Sequence, residues 1–266
     1  MGQKLKHPPV CLVLAQLKFN QVVSLSDAQL QQISARFASL GFVDFKKEQR
    51  KSVKISFSRD KVGKVEETES TARYVFGNSE RNSNLVLDLD SLTTETSNYE
   101  TSEAFFDLFS LALEAVHEVR TIAFYNRVGM RMIDAIQPRN GTSIADYIHP
   151  QLLGFLKLVE MPNMQYSFTQ TQFGVSPQTL LVKTMQSPNG FLLPEDIAQA
   201  QDRLDFPENL IEFKRDTFML DADSALEERG GYSRDAILSK LQTLKSELTK
   251  VFNGATTDWA RSIGWN

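Results

Sequence analysis

The chain is poor in reactive and metal-binding side chains. Cys11 is its only cysteine, and His7, His117 and His149 are its only histidines among 266 residues. One cysteine excludes an intramolecular disulfide and a thiolate metal cluster, so a metal site would need carboxylates or those three imidazoles. No apolar run approaches the roughly 18 residues of a membrane span. The stretch from Met1 to Pro9 has no apolar core of a signal peptide. A cytoplasmic chain without membrane contact is expected. Gly-x-Ser-x-Gly, a Walker loop, a dinucleotide fingerprint and a paired-histidine zinc motif are all missing, and no cofactor is implied. Cys11 sits in an apolar run and reads as a buried, inert thiol.

Net charge is also small, −4, which argues against a general nucleic-acid binder. The halves differ, however. Residues 1–133 hold 17 basic and 16 acidic side chains, residues 134–266 hold 12 and 17. Within the first half, Lys46 to Lys64 gathers Lys46, Lys47, Arg50, Lys51, Lys54, Arg59, Lys61 and Lys64 against Glu48 and Asp60. Such a stretch can attract an anionic partner despite the overall sign.

What the sequence does have is an internal echo at an offset of 133 residues. Leu87-Asp88-Leu89-Asp90-Ser91 returns as Leu220-Asp221-Ala222-Asp223-Ser224, and Tyr99 returns as Tyr232. Beyond each tyrosine a helical stripe repeats in register: Phe105/Leu238, Leu108/Leu241, Leu111/Leu244, Ala115/Leu248 and Val119/Phe252. With 41% hydrophobic content, a substantial core is available to one large domain or two smaller ones.

Local patterns fill in the order. Val10 to Phe19 reads as a strand. Ser26 or Asp27 then caps a helix carrying Leu30, Ile33, Phe37 and Leu40, which Gly41 ends. Val53, Ile55 and Phe57 alternate with Lys54, Ser56 and Ser58 as a half-buried strand. Further strands fit Val65 to Phe76 and Asn84 to Asp90, before a helix from about Ser102 to Arg120. The second half starts with a strand over Asn126 to Ile136 and a helix around Ser143 to Leu158. Strands at Gln165 to Phe173, Thr179 to Gln186 and Leu210 to Leu220 follow, then a helix from Ser233 to Asn253. The first strand and helix of the halves align at an offset nearer 118, so the second half needs an insertion. Proline-bearing Ser187 to Asn209 fits that role as a surface loop. The expected architecture is α+β, two tandem β-α-β4-α repeats over residues 1–123 and 124–266, each a curved antiparallel sheet packed on a long helix. That order is the one found in TATA-binding-protein-like and helix-grip folds.

Three groups of residues could carry chemistry. Asp88 with Asp90, and Asp221 with Asp223, are spaced two apart, so on a strand each pair shares a face and could hold a hard cation. The other reading is that they end a strand and pair with a base. In Asn126 to Asp134, alternation places Arg127, Gly129 and Arg131 on one face and Val128, Met130 and Met132 in the core. Two guanidinium forks across a glycine suit a carboxylate or phosphate ligand, or an internal salt bridge to the repeated aspartates. The basic rim, with Lys46, Lys47, Arg50, Lys51 and Lys54, could meet a protein partner or a phosphate backbone, or simply keep a sheet edge from aggregating.

The early Pro8-Pro9 before an apolar strand, the central Arg127-x-Gly129-x-Arg131 strand and the late Asp-x-Asp before a terminal helix resemble a sporadically distributed, uncharacterised prokaryotic protein family of about this length. The resemblance would cover almost the whole chain and brings no catalytic residues. Its scattered distribution is similar to that of mobile defence and toxin-antitoxin genes, which implies an accessory role. The expected function is therefore a non-enzymatic binding or regulatory protein with a protein partner, nucleic acid being a further candidate through the Lys46 to Lys64 rim. A metal-dependent nucleic-acid or nucleotide-processing enzyme and a small-ligand-binding helix-grip protein are the alternatives.

Overall fold

The computed structural model describes residues 5–58, 61–139, 141–157, 164–190, 193–207, 210 and 216–266, without the side chains of 50–58, 61–70, 155–157 and 175. Ten strands are present in this part of the chain: β1 Val10–Phe19, β2 Asp44–Ser58, β3 Lys61–Gly77, β4 Ser83–Leu87, β5 Ser91–Thr96, β6 Phe124–Ile136, β7 Ser167–Val175, β8 Gln178–Ser187, β9 Thr217–Leu226 and β10 Gly230–Gly231. The α-helices are α1 Asp27–Ser39, α2 Ser102–Val119, α3 Ile144–Tyr147 and α4 Arg234–Ala255. No helix among the described residues is long and apolar enough to cross a membrane.

All the strands belong to one antiparallel sheet in the order β2-β3-β4-β5-β1-β6-β9-β8-β7, with β10 also beside β6. The two halves meet in its middle, where β1 pairs with β6 from Val10/Asp134 to Phe19/Tyr125. The sheet therefore runs unbroken across the expected boundary at residues 123/124. Toward one edge, β3 pairs with β4 only over Tyr74 to Gly77, while its pairing with β2 continues to Ser58/Lys61.

Alternation along the central strands divides the apolar residues between two faces. Val13, Ala15 and Leu17 of β1 and Val128 and Met130 of β6 meet Ile33 and Phe37 of α1, Phe109 and Leu113 of α2, and Ile237, Leu241 and Leu244 of α4. The intervening positions Leu12, Ile133 and Ala135, with Met219, pack against Leu193, Ala200, Leu204, Phe206 and Leu210. The described part of segment 187–209 is thus packed on the sheet rather than projecting from it as a loop. Its apolar residues cover the sheet face that the helices leave open.

The caps follow the sequence closely. Ser26 Oγ accepts from the Gln29 N–H at 3.2 Å while Gln29 Oε1 accepts from the Ser26 N–H at 3.0 Å, a reciprocal box that satisfies two otherwise orphaned donors. Thr101 and Ser233 start α2 and α4 by accepting from the N–H groups of Ala104 and Ala236.

Other expectations are corrected. The helix anticipated over 143–158 is α-helical only in Ile144–Tyr147; Pro150–Lys157 is a kinked 3-10 segment in which Gly154 takes φ 50°, a left-handed value that breaks a helix. Leu111, placed on the buried stripe of α2, is exposed, whereas Phe106, Phe109, Ala112, Leu113 and Val116 are buried. The stripe is rotated because α2 packs against both α1 and α4 as well as the sheet. Four strands follow α1, but among the described residues between α3 and α4 only β7, β8 and β9 precede the two-residue β10. Finally, β9 begins at Thr217 and runs through Asp221 and Asp223 to Leu226, instead of ending at Leu220. Residues 211–215 of the anticipated strand lie outside the described residues.

Candidate functional site

The sheet face opposite the helices carries a ladder of ion pairs that takes in Asp88, Arg127, Arg131, Asp221 and Asp223 of the charged residues singled out above. Arg131 of β6 is buried and donates from Nε and Nη2 to both carboxylate oxygens of Asp221 on β9, each at 2.7 Å. Its Nη1 donates to Asp196 of the covering segment at 2.5 Å, and Lys183 of β8 stands 3.7 Å from the same carboxylate. Burial alone would pull the Arg131 guanidinium down, yet Asp221 and Asp196 hold it above its ordinary value. Asp196 answers in kind. Burial raises its carboxyl, but Arg131 and Lys183 outweigh that and leave it lowered.

Arg127 lies one rung along. It donates from Nε to Glu227 at 2.9 Å and from Nη1 to Gln16 at 3.0 Å, and Nη2 is 3.6 Å from Asp223. The guanidinium reaches these groups by folding back over Gly129. A Cβ at Gly129 would collide with the Arg127 guanidinium, so the glycine makes room for the neighbouring arginine's own head group. Asp223 remains raised, chiefly by burial and also by Asp221 and Asp196, despite Arg127 and Arg131.

The first half supplies matching rungs. Asp88 accepts from Arg73 Nε at 3.0 Å and Nη2 at 2.9 Å. Arg203, at the end of the covering segment, donates to both oxygens of buried Glu95 at 3.0 and 3.2 Å and reaches Glu48 at 3.5 Å. Asp196 and Arg203 therefore clamp one segment to both halves of the sheet. The two Asp-x-Asp pairs do not converge: Asp88 and Asp90 sit at the turn between β4 and β5, Asp221 and Asp223 within β9. Among the described residues no three His, Cys, Asp or Glu side chains are grouped as metal ligands.

Of the basic rim, Lys46 and Lys47 are exposed on β2, Lys46 3.2 Å from Glu48 and Lys47 5.9 Å from the Tyr74 ring centre. Arg50, Lys51 and Lys54 continue the same strand, with Lys54 opposite Glu66 in register; their side chains lie outside the described residues. His117, at the end of α2, accepts from the Ile122 N–H at 3.1 Å and stacks on Tyr232 with ring centres 3.9 Å apart. Cys11 is buried with its thiol donating to the Ile133 carbonyl, and burial together with nearby Asp134 pushes that thiol up.

On the helix side of the sheet a cleft of about 890 Å³ opens between the start of β1, β6 and β9 below, the entry to α2 on one flank and α4 with the C-terminal turn on the other. Val10, Met132, Leu220, Ala222, Leu248 and Phe252 supply apolar walls. Tyr99 to Glu103, Lys245, Asp258 and Arg261 form the rim. Arg261 is already engaged, donating to the carbonyls of Asn253 and Thr256 and to Asp258.

Asp134 also lines this cleft and is only 5% exposed. Its backbone is held in register between Val10 of β1 and Leu220 of β9. No hydrogen bond or ion pair to its carboxylate is made among the described residues, in contrast to every buried acid of the opposite face. Burial alone raises its pKa to about 7. A carboxyl in this state can hold a proton, or a cation, inside an otherwise apolar cavity. The sequence carried a sign of it. The alternation that turns Val128, Met130 and Met132 toward the helices puts Asp134 next on the same face, where an ionisable side chain breaks the pattern.

No protein-family model matches this chain, and a search of curated proteins gives no match.

Proposed function

We propose that the protein is a non-enzymatic binding protein whose small ligand enters the cleft between the sheet and the layer of α2 and α4. The observation that carries this reading is the cleft itself: about 890 Å³, within the roughly 300–1,000 Å³ range of small-molecule sites, with mostly apolar walls and one buried polar group that can fix orientation. The paired arginines and aspartates favour binding over metal-dependent chemistry, because Asp88 and Asp221 spend both carboxylate oxygens on Arg73 and Arg131. On this reading the two halves are tandem repeats around the β1–β6 pair, and each long helix grips the sheet as in helix-grip folds. A regulatory role within a mobile defence or toxin-antitoxin module is compatible with ligand sensing.

Nile red, a neutral dye that brightens in apolar cavities, tests this. Thr249 lines the cleft from α4, and Thr249→Trp would fill it from the rim. Bright, saturable binding by the wild type that is lost in a folded Thr249→Trp variant is the expected outcome. Equal binding by both proteins, or none by the wild type, overturns the reading.

A second reading keeps the basic rim. From Arg73 outward β3 pairs with β2 alone, so this two-stranded ribbon offers Lys46, Lys47 and the following basic positions to a protein or nucleic-acid partner. Reversing the charge of Lys46 and Lys47 should then weaken capture of that partner, and unchanged capture removes the rim.

A further inference from the structure

We infer that the cleft selects an amphipathic cation: an ammonium or amidinium group placed on the Asp134 carboxylate, with an aliphatic or aromatic body lying on Met132, Leu220, Ala222, Leu248 and Phe252. The inference rests on the cleft reading above and adds the chemical class of the ligand.

Three observations carry it. First, Asp134 is buried in the cleft wall and, among the described residues, lacks the counter-charge that the other buried acids have. Asp88, Asp221 and Glu95 each hold an arginine with both oxygens. An ionised carboxylate in an apolar wall is costly unless paired, and a ligand cation removes that cost on arrival. Second, the charges facing the cleft are negative in sum: Glu100, Glu103, Asp134 and Asp258 against Lys245 and Arg261. Arg261 is further committed to Asp258 and two backbone carbonyls. Such a field draws a cation inward and disfavours a fatty acid or phosphate. Third, Met132, Leu220, Ala222, Leu248 and Phe252 offer an apolar body a set of buried or half-buried side chains, with Thr249 and Asn253 as polar neighbours on α4. A bare metal ion would find no group of three His, Cys, Asp or Glu ligands among the described residues, and a neutral lipid would leave the carboxyl unanswered.

Proton linkage follows from the same geometry. The carboxyl must lose its proton to receive a cation, so affinity rises with pH as Asp134 ionises. Cys11 of β1 lies close enough for Asp134 to raise its thiol, and the other titratable groups of the cleft are Tyr99, Glu100 and Glu103 from the approach to α2, Lys245 from α4, and Asp258 and Arg261 from the C-terminal turn. Of these, Cys11 and Tyr99 are pushed above their ordinary values by burial.

Displacement of Nile red by n-hexylamine, 1-hexanol and hexanoate, probes of one chain length and different charge, gives the test at pH 5 and pH 8. The expected result at pH 8 is hexylamine binding about 10- to 100-fold more tightly than hexanol, the range for one charge-assisted contact, with hexanoate weakest. The preference should shrink at pH 5 and vanish in Asp134→Asn, which still binds hexanol. Equal displacement by amine and alcohol, or a preference that survives Asp134→Asn, overturns the cation inference while leaving a ligand-binding cleft in place. Should Nile red itself fail to bind, the cleft reading falls and this inference with it.

Discussion

Replacing Asp134 by asparagine should make the protein more stable, and the gain should depend on pH. The folded protein keeps the Asp134 carboxyl protonated up to about pH 7, whereas its ordinary value is 3.8. Below that ordinary value both folded and unfolded chains carry the proton, and the group is neutral with respect to stability. Between the two values the unfolded chain has ionised while the folded chain has not, so stability falls as pH rises; above about 7 the loss is complete. At about 1.4 kcal/mol per unit of pKa difference, the full span is on the order of 4 to 5 kcal/mol. Asparagine has nearly the same shape and no charge in either state. Urea denaturation of wild type and Asp134→Asn at pH 4, 5, 6, 7 and 8 isolates the effect, since contributions from the other carboxylates are common to both proteins. Near pH 4 the two should differ little, and by pH 8 the variant should lead by several kcal/mol. A stability difference that stays constant from pH 4 to pH 8 would falsify the account of Asp134 as a buried, unpaired acid.

Other substitutions probe the opposite face. Gly129→Ala should cost about 1 kcal/mol by evicting the Arg127 guanidinium from its place over the strand, yet be harmless or mildly stabilising when Arg127 is already alanine; additive effects in thermal melts of the double variant would contradict this. Arg131→Met strands the Asp221 carboxylate, 1% exposed, and should cost roughly 3–5 kcal/mol. Adding Asp221→Asn should recover part of that loss in urea titrations, and a double variant no better than the single one argues against the pairing. Arg203→Met unties the covering segment from Glu95 and Glu48, so limited proteolysis should cut within 187–209 faster than in wild type while the helix side of the sheet stays protected.

Much of the scaffold was legible in the sequence because its signals are local. The Ser26 and Gln29 box, the β1 run and the stripe of α4 are written in residues a few positions apart. Strand β5 was not marked by periodicity, since Ser-Leu-Thr-Thr-Glu-Thr is polar on both faces; its Glu95 is buried only because Arg203, 108 positions later, closes on it. The end of β9 was misplaced for a related reason. Aspartates look like a strand terminus until Arg127 and Arg131 on the neighbouring strand are seen to neutralise them. The glycine between those arginines pointed to a close approach, but the approaching group comes from the same chain. As for the cleft, its floor broke a legible alternation at Asp134, whereas its roof depends on how α2, α4 and the C-terminal turn dock, which no local pattern records.

The most direct measurement is the titration of the Asp134 carboxyl carbon by NMR, its signal assigned by its disappearance in Asp134→Asn, in the free protein and in the presence of saturating n-hexylamine or 1-hexanol. A midpoint near pH 7 is expected in the free protein. It should fall by about one unit or more with the amine, as an opposite charge at contact distance requires, and stay where it is with the alcohol. A midpoint in the ordinary aspartate range without ligand, or one that the amine leaves unmoved, would contradict a cation-selective cleft built on Asp134.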